Sequence, residues 1–371
     1  MSAEGVPLVD LGLQHAQVAD RVARGFAEVI ASGAYVGGPD VEAFEREYAQ
    51  LVGVRHCIGV GNGTDAIELA LRACGVGTGD EVILPANTFV ATAEAVVRAG
   101  AVPVLADVDA DCLLLDPDAA AAAVGPATRA LVPVHLFGQT APVERLAQLV
   151  ADNGLVLVED AAQSQGALRH GRPAGSFGLA SATSFFPGKN LGAYGDAGAV
   201  MTDDHDVARR VRLLGSHGSA VKYHHEELGF NSRLDTLQAV VLRCKLERLS
   251  AWNEQRRAAA ARYDALLRDL PEVRVPGRLG GNVDVWHLYV VRVPDRDALL
   301  RRLNEAGIGA GVHYPVPVHL QQAFCALGRG AGSFPVAEAA AKEILSLPLF
   351  PGITPAQQER VVHELRRGLR S

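Results

Sequence analysis

From about residue 55 the chain repeats one pattern, a short apolar run followed by a longer stretch with helical spacing. Runs at residues 56–60 (HCIGV), 81–84 (EVIL), 102–105 (VPVL), 130–135 (ALVPVH), 155–159 (LVLVE) and 198–201 (GAVM) predict strands. Residues 66–74 (AIELALRAC) and 92–99 (TAEAVVRA) predict helices, closed near Gly75 and Gly100. A strand that is apolar along nearly its whole length has no solvated face. It must be covered on both sides, and helices between the strands supply the cover. The pattern therefore predicts an α/β chain with a parallel sheet.

After Asn231 the pattern changes. Residues 234–250 and 254–270 read as long helices, and Pro271, Pro276 and GRLGGN then break the chain. Residues 287–293 (HLYVVRV) alternate like a strand with one solvated face, and 297–306 and 336–345 read as helices. This predicts a smaller α+β domain, with a large domain over 1–250 and a small one over 251–371. The length of 371 residues suits two or so domains of about 100–200 residues each. Pro117 stands near the start of a short alanine-rich helix at 117–124. No internal repeat is present.

Composition removes several function classes. A net charge of -7 gives no reason to expect nucleic acid, and interleaved charges leave no face built for an anionic membrane. No apolar run approaches the roughly 20 residues that cross a bilayer. The N-terminus, MSAEGVPLVDLG, lacks a basic stretch followed by an apolar one, so a cytoplasmic protein is expected. Five scattered cysteines without a CxxC pair predict neither a metal site nor disulfides, but reduced, mostly buried thiols.

Three features carry chemistry. Gly59-Val60-Gly61-Asn62-Gly63-Thr64-Asp65-Ala66 follows a strand and opens a helix. Its glycines allow close backbone approach, and the first helical amides have no internal acceptor, so the turn can hold a phosphate. A plain turn capped by Thr64 or Asp65 is the alternative. Gly61-x-Gly63-x-x-Ala66 also fits a dinucleotide fingerprint, but Asp80 and Glu81 precede the next strand instead of ending it. Next, Asp160 ends an apolar strand, where a lone carboxylate needs a partner. A protonated pyridine nitrogen would serve; a helix N-cap is the other role open to it. Gln163 lies one turn further on. Finally, Lys189 sits in Ser184-Phe185-Phe186-Pro187-Gly188-Lys189-Asn190, among apolar residues. Burial there would lower its pKa and leave an amine able to attack a carbonyl; a structural lysine in a turn is the alternative. Together the three supply a phosphate anchor, a pyridinium partner and an imine-forming amine. Phe89, just after a strand end, could stack on a ring.

The motifs GNGTDAIELAL, PANTFVATAEAV, PVHLFGQ, EDAAQSQGA, ATSFFPGKNLGAYGDAGAV, GFNSRLDTLQAVVL and GVHYPVPVHLQ resemble the DegT/DnrJ/EryC1/StrS sugar aminotransferases along essentially the whole chain. The resemblance implies the type I fold of pyridoxal-phosphate enzymes, a mostly parallel mixed sheet flanked by helices with a smaller C-terminal α+β domain. It implies pyridoxal 5′-phosphate as cofactor, with pyridoxamine 5′-phosphate between half-reactions, and Lys189 as its covalent anchor. Asp160 would pair with the pyridine nitrogen, and Gln163 with the ring hydroxyl. The amides of Gly63, Thr64 and Asp65 and the Ser184 hydroxyl would hold the phosphate, with Phe89 on the ring. Asn231 would reach the phosphate from a neighbouring subunit, which implies a homodimer with shared active sites. Lys222, Tyr223, His313 and Tyr314 would line the nucleotide-sugar site.

The implied reaction moves an amino group from L-glutamate to a keto group of a nucleotide-linked, dTDP-type deoxysugar, closest to amination at C3. Amination at C4 is its rival. Gln165 replaces a His of many relatives and Phe186 a Tyr, and both bear on which sugar fits. Family members that are dehydratases replace the lysine by His, so Lys189 points to transamination. An amino-acid or cyclitol aminotransferase of the same fold is a further alternative. An amino-acid enzyme needs a fixed arginine for the second carboxylate, for which Arg233 and Arg292 are candidates. A non-catalytic regulator is disfavoured, since the chain shows no DNA-binding extension or basic patch.

Overall fold

The structure, a computed structural model, describes residues 5–370. Met1–Glu4 of the segment read for a leader, and Ser371 at the end of the C-terminal domain, lie outside them. Seven strands form the central sheet: β1 His56–Val60, β2 Glu81–Pro85, β3 Val102–Ala106, β4 Thr128–Leu131, β5 Val156–Asp160, β6 Ala180–Ser184 and β7 Gly198–Thr202. Their order is β1-β7-β6-β5-β4-β2-β3. β7 runs antiparallel to both its neighbours and the other pairings are parallel, so the sheet is mixed and mostly parallel. Val82, Ile83 and Leu84 of β2 are wholly buried, as an apolar strand covered on both faces requires.

The pattern of apolar runs misses β6. Its sequence, ASATS, consists of small residues with weak strand preference. Their size has a use, because helix Gly63–Ala73 packs directly across this strand. The run at 130–135 also shortens: regular pairing stops at Leu131, and Val134 rejoins through a single bridge to Asp160.

Beyond the sheet, the two long helices expected at 234–250 and 254–270 are one continuous helix, Thr236–Leu267. No glycine or proline interrupts it, and Trp252 and Asn253, at the expected gap, are buried. Its first half contributes Ala239, Leu242 and Leu249 to a core under the sheet. Its second half contributes Ala259, Ala260, Tyr263 and Leu267 to a separate core with the antiparallel strands Tyr289–Arg292 and Ile344–Leu347. Val6, from the other end of the chain, packs into that second core. All five cysteines are free; four are buried and Cys325 is exposed. Among the described residues no helix is long and apolar enough to cross a membrane, and no cluster of potential ligands could hold a metal ion.

Because β1 to β6 share one direction, their carboxyl ends open on a single edge of the sheet. Open α/β sheets bind ligands at that edge. It gathers the Gly61–Gly63 turn, the Pro85–Phe89 loop, Asp160, Ser184 and the loop that carries Lys189.

Candidate active site

A cavity of 640 Å³ opens on this edge. Its lining includes Gly63, Thr64, Phe89, Asp160, Gln163, Ser184, Lys189, His313 and Tyr314. Nine residues that the sequence singles out, from separate parts of the chain, therefore share one space.

At one end, helix Gly63–Ala73 begins. Its N-cap is Asn62, not Thr64 or Asp65: Asn62 Oδ1 accepts from the Asp65 amide at 2.8 Å. That bond corrects the expected phosphate anchor, because the Asp65 amide is already engaged. The Asp65 carboxylate is engaged too, with Arg98 at 2.9 Å and the Ser232 hydroxyl at 2.7 Å. The amides of Gly63 and Thr64 have no acceptor among the described residues, and they sit at the positive end of the helix dipole. Ser184 lies against them. A Cβ on Gly63 would stand 2.5 Å from that of Ser184, so only glycine permits this approach.

Across the cavity, Asp160 is 5% exposed. It caps no helix; turns follow it, and its Oδ1 accepts from the Ala162 amide at 3.1 Å. Thr92 donates to its Oδ2 at 2.8 Å, and the Thr92 and Thr88 hydroxyls are 2.8 Å apart. Lys189 is the complementary group. Burial lowers its pKa to about 8, against the opposing pull of the Asp160 charge. Its Nζ has no hydrogen-bond or ion-pair partner among the described residues.

Gln163 Oε1 accepts from the Phe137 amide at 2.7 Å, and its Nε2 donates to the Tyr314 hydroxyl at 3.1 Å, leaving one amide proton for a ligand. Phe89 presents an open ring whose centroid lies 5.0 Å from that of Tyr314. His313 Nδ1 is 2.8 Å from Ser346 Oγ, and burial and Lys189 lower its pKa to about 4.

Other expected residues do not reach the cavity. Lys222 and Tyr223 lie on an exposed two-stranded hairpin, Ser219–Val221 with His224–His225, where the Lys222 ammonium rests 5.0 Å from the Tyr223 ring centroid. Asn231 is also exposed and accepts from Arg233 at 2.7 Å. Gln165 is buried behind the cavity, and its Nε2 donates to the Ser184 carbonyl at 2.7 Å. It therefore shapes the wall without touching a ligand, whereas Phe186 faces the cavity directly. Of the two candidate carboxylate-binding arginines, Arg233 holds Asn231 and Arg292 pairs with Glu343 at 2.8 Å; neither lines the cavity. The guanidinium at its rim belongs to Arg98, neutralised by Asp65 and Glu68.

Sequence reasoning missed Asn62, Thr92 and His287. The first two left signals: an Asn three residues before an amide that needs an acceptor, and a Thr88-x-x-x-Thr92 pair that straddles the start of the helix behind a strand end. His287 left none, since it reads as the start of a strand.

Taken together, the edge holds an anion site, a buried acid and an enclosed, unpartnered amine around one cavity, which is the layout of an enzyme that works through a carbonyl cofactor held on lysine. The chain belongs to the DegT/DnrJ/EryC1/StrS aminotransferase family, whose model matches residues 17–366. It is 46% identical to the erythromycin biosynthesis sensory transduction protein EryC1 of Saccharopolyspora erythraea, covering 98% of this chain and 99% of that one. It is 44% identical to the dTDP-3-amino-3,4,6-trideoxy-alpha-D-glucose transaminase of Streptomyces venezuelae, covering 97% and 95%. The crystal structure of S. venezuelae DesV, in complex with a ketimine intermediate, superposes with a TM-score of 0.97 at 43% identity over the full length of both chains. The protein is an aminotransferase.

Proposed function

We propose that the chain binds pyridoxal 5′-phosphate and transfers an amino group from L-glutamate to the C3 keto group of a dTDP-linked deoxysugar, in deoxyaminosugar biosynthesis. The observation that carries this is the enclosed Lys189 amine across one cavity from the buried Asp160 carboxylate, with the Gly63–Thr64 turn at its end. Similarity to a transaminase acting on a dTDP-3-amino sugar supports the substrate class and the carbon.

The residues present fit the cofactor. The Gly63 and Thr64 amides and the Ser184 hydroxyl would hold the phosphate, Asp160 the pyridine nitrogen, Gln163 the ring hydroxyl and Phe89 the ring face. When bound, the cofactor supplies an electron sink for the substrate's carbon–hydrogen bond. Asp160 keeps a negative charge where a ring cation needs it, and two hydrogen bonds fix that carboxylate. Lys189 Nζ would hold the cofactor and, when free, would take the proton from the amino donor's Cα and hand it on to the cofactor's carbon, not back to Cα. Only the neutral amine can accept that proton. With a pKa of about 8, the rate should therefore rise with pH through that value and level off above it.

The domain division at 1–250 and 251–371, a cytoplasmic location and a homodimer belong to the same proposal. Exposure of Lys222, Tyr223 and Asn231 supports the homodimer, because these side chains are left available to a neighbouring copy's cavity. The test is a pair of half-reactions. The purified protein should show the cofactor's visible absorption, lose it with L-glutamate, and regain it with a dTDP-3-keto-6-deoxyhexose. Recovery with a 4-keto sugar alone would reassign the carbon, and normal turnover by Lys189→Ala would refute the mechanism.

A further inference from the structure

The loop that carries Lys189 leaves β6 at Ser184 and enters β7 at Gly198. Apolar and bonded positions alternate along it. Leu191 and Ala193 pack into the core that also holds Leu242 and Leu249 of helix Thr236–Leu267. Three polar side chains of the same helix bond the positions between and beside them. Asn253 Oδ1 accepts from Asn190 Nδ2 at 2.9 Å, Lys245 Nζ donates to the Gly192 carbonyl at 2.7 Å, and Gln238 Oε1 accepts from the Tyr194 amide at 2.8 Å. Gln238, Lys245 and Asn253 stand close to two helical turns apart, so they form one row on the face turned to the loop. The loop is thus clamped at every second residue from Asn190 to Tyr194.

Lys245 is the costly member of the row. It is 3% exposed, and burial pulls its pKa down to about 8. No carboxylate pairs with it among the described residues. Its ammonium has the Gly192 carbonyl and, 4.6 Å away, the centroid of the Tyr194 ring. A buried charge without a counter-ion is unfavourable, and a methionine would fill similar space without that cost. What methionine lacks is direction. Apolar packing holds a loop down without fixing its position, whereas a hydrogen bond sets a distance and an angle. The clamped carbonyl is close to the chemistry. The Lys189 amide donates to the Phe186 carbonyl and the Ala193 amide to the Phe185 carbonyl, both at 2.8 Å, so Gly192 lies inside a turn closed around Lys189. That turn has no slack, since a Cβ on Gly192 would run into the Pro187 carbonyl.

We propose that Lys245 and Gln238 are positioning residues for Lys189, fixing the Gly192 carbonyl and the Tyr194 amide so that the loop presents the lysine amine at one place in the cavity. This rests on Lys189 being the amine and base of transamination. A reacting group misplaced by about 1 Å can slow a reaction about 100-fold, so a loosened loop should slow the chemistry and leave binding of the amino donor unchanged.

The test has two readouts. Holoenzyme is first converted with L-glutamate, which leaves Lys189 free, and hydrogen–deuterium exchange of peptides covering 186–196 is followed by mass spectrometry. The strands Tyr289–Arg292 and Ile344–Leu347 serve as the control region. Separately, the glutamate half-reaction is followed in single turnover. Lys245→Met should speed exchange in the loop about tenfold, leave the control strands unchanged, and slow the half-reaction at saturating glutamate about tenfold with the half-saturating concentration unchanged. Lys245→Arg, which keeps a cationic donor, should recover most of both. Gln238→Leu should give the same pattern at about threefold, because it removes a bond between neutral groups. Faster exchange in loop and control strands alike means a general loss of stability, and it overturns the proposal. Faster loop exchange with an unchanged half-reaction overturns it too, since the clamp is then merely structural. If Lys245→Met does not fold, Gln238→Leu decides, and an unchanged loop or rate there is equally fatal. Normal turnover by Lys189→Ala would instead refute the transamination reading. Unchanged readouts in these variants, with Lys189 still essential, would refute only the clamp.

Discussion

The cavity wall around Lys189 and the segment from Ser219 to Asn231 both carry residues expected at the active site, yet they are built differently. On the wall, polar side chains around the lysine are fixed by groups of the same chain: Asp160 by Thr92 and Ala162, Gln163 by Phe137 and Tyr314, Asn190 by Asn253 and Val285. The segment is exposed; Tyr223 is 81% accessible and Leu228 is 97% accessible. A single chain thus completes the half of the site that would grip a cofactor. The half expected to meet the sugar and the phosphate from outside is left without a floor. Preorganised groups cost nothing to arrange at the moment of reaction, whereas exposed ones must first be ordered by whatever covers them.

Removing the amine should break the wall most severely. Lys189→Ala deletes both the cofactor's covalent anchor and the proton carrier, and should lower turnover by at least about 1,000-fold in a steady-state assay. Asp160→Asn keeps the shape but removes the charge, and should cost about 100-fold, with cofactor content measured alongside to separate weak binding from poor chemistry. A mixing experiment would sharpen the contrast with the exposed segment. If Asn231 serves a partner's cavity, Asn231→Ala and Lys189→Ala proteins, each poorly active alone, should regain activity once subunits exchange. Random pairing gives heterodimers with one intact site each, so about a quarter of all sites recover. A mixture no better than its parts would place Asn231 outside any shared site.

The same contrast governs how much the sequence reveals. The anion turn, the strand-end acid and the buried lysine are legible because each stands at a fixed place in the strand–turn–helix rhythm, and the family motifs surround them. β6 is not legible, because ASATS serves the packing of helix Gly63–Ala73 and not a hydrophobic pattern. The continuity of Thr236–Leu267 is hidden by a helix face that switches from one core to the other partway along, which reads as a break. The Asp65 amide looks available until Asn62 is seen to take it, since capping depends on a side-chain rotamer that spacing does not encode. The partners of Asp160 and His287 come from segments tens of residues away, and no local pattern announces such bonds.

Thr92 offers the mildest way to test whether the wall acts as a unit. Its hydroxyl donates to Asp160 Oδ2, so Thr88, 2.8 Å behind it, must donate to Thr92 in turn. Hydrogen bonds aligned in this way polarise one another and favour the ionised carboxylate. Thr92→Val keeps the volume but removes the donor. It leaves Asp160 with the Ala162 amide alone, and a lost hydrogen bond to a buried charge is worth about 1.5–3 kcal/mol. Part of that loss would fall on the free protein and part on the reacting one, so kcat should drop only about tenfold. Thr92→Ser should restore it. The informative measurement is the cofactor content and visible absorption of each variant. A carboxylate that has lost a donor is held less firmly in place, so Thr92→Val should retain less of the absorbing cofactor and Thr92→Ser should recover it. If kcat falls while cofactor content stays unchanged, Thr92 merely fills space, and Asp160 is held by the fold without help from its neighbour.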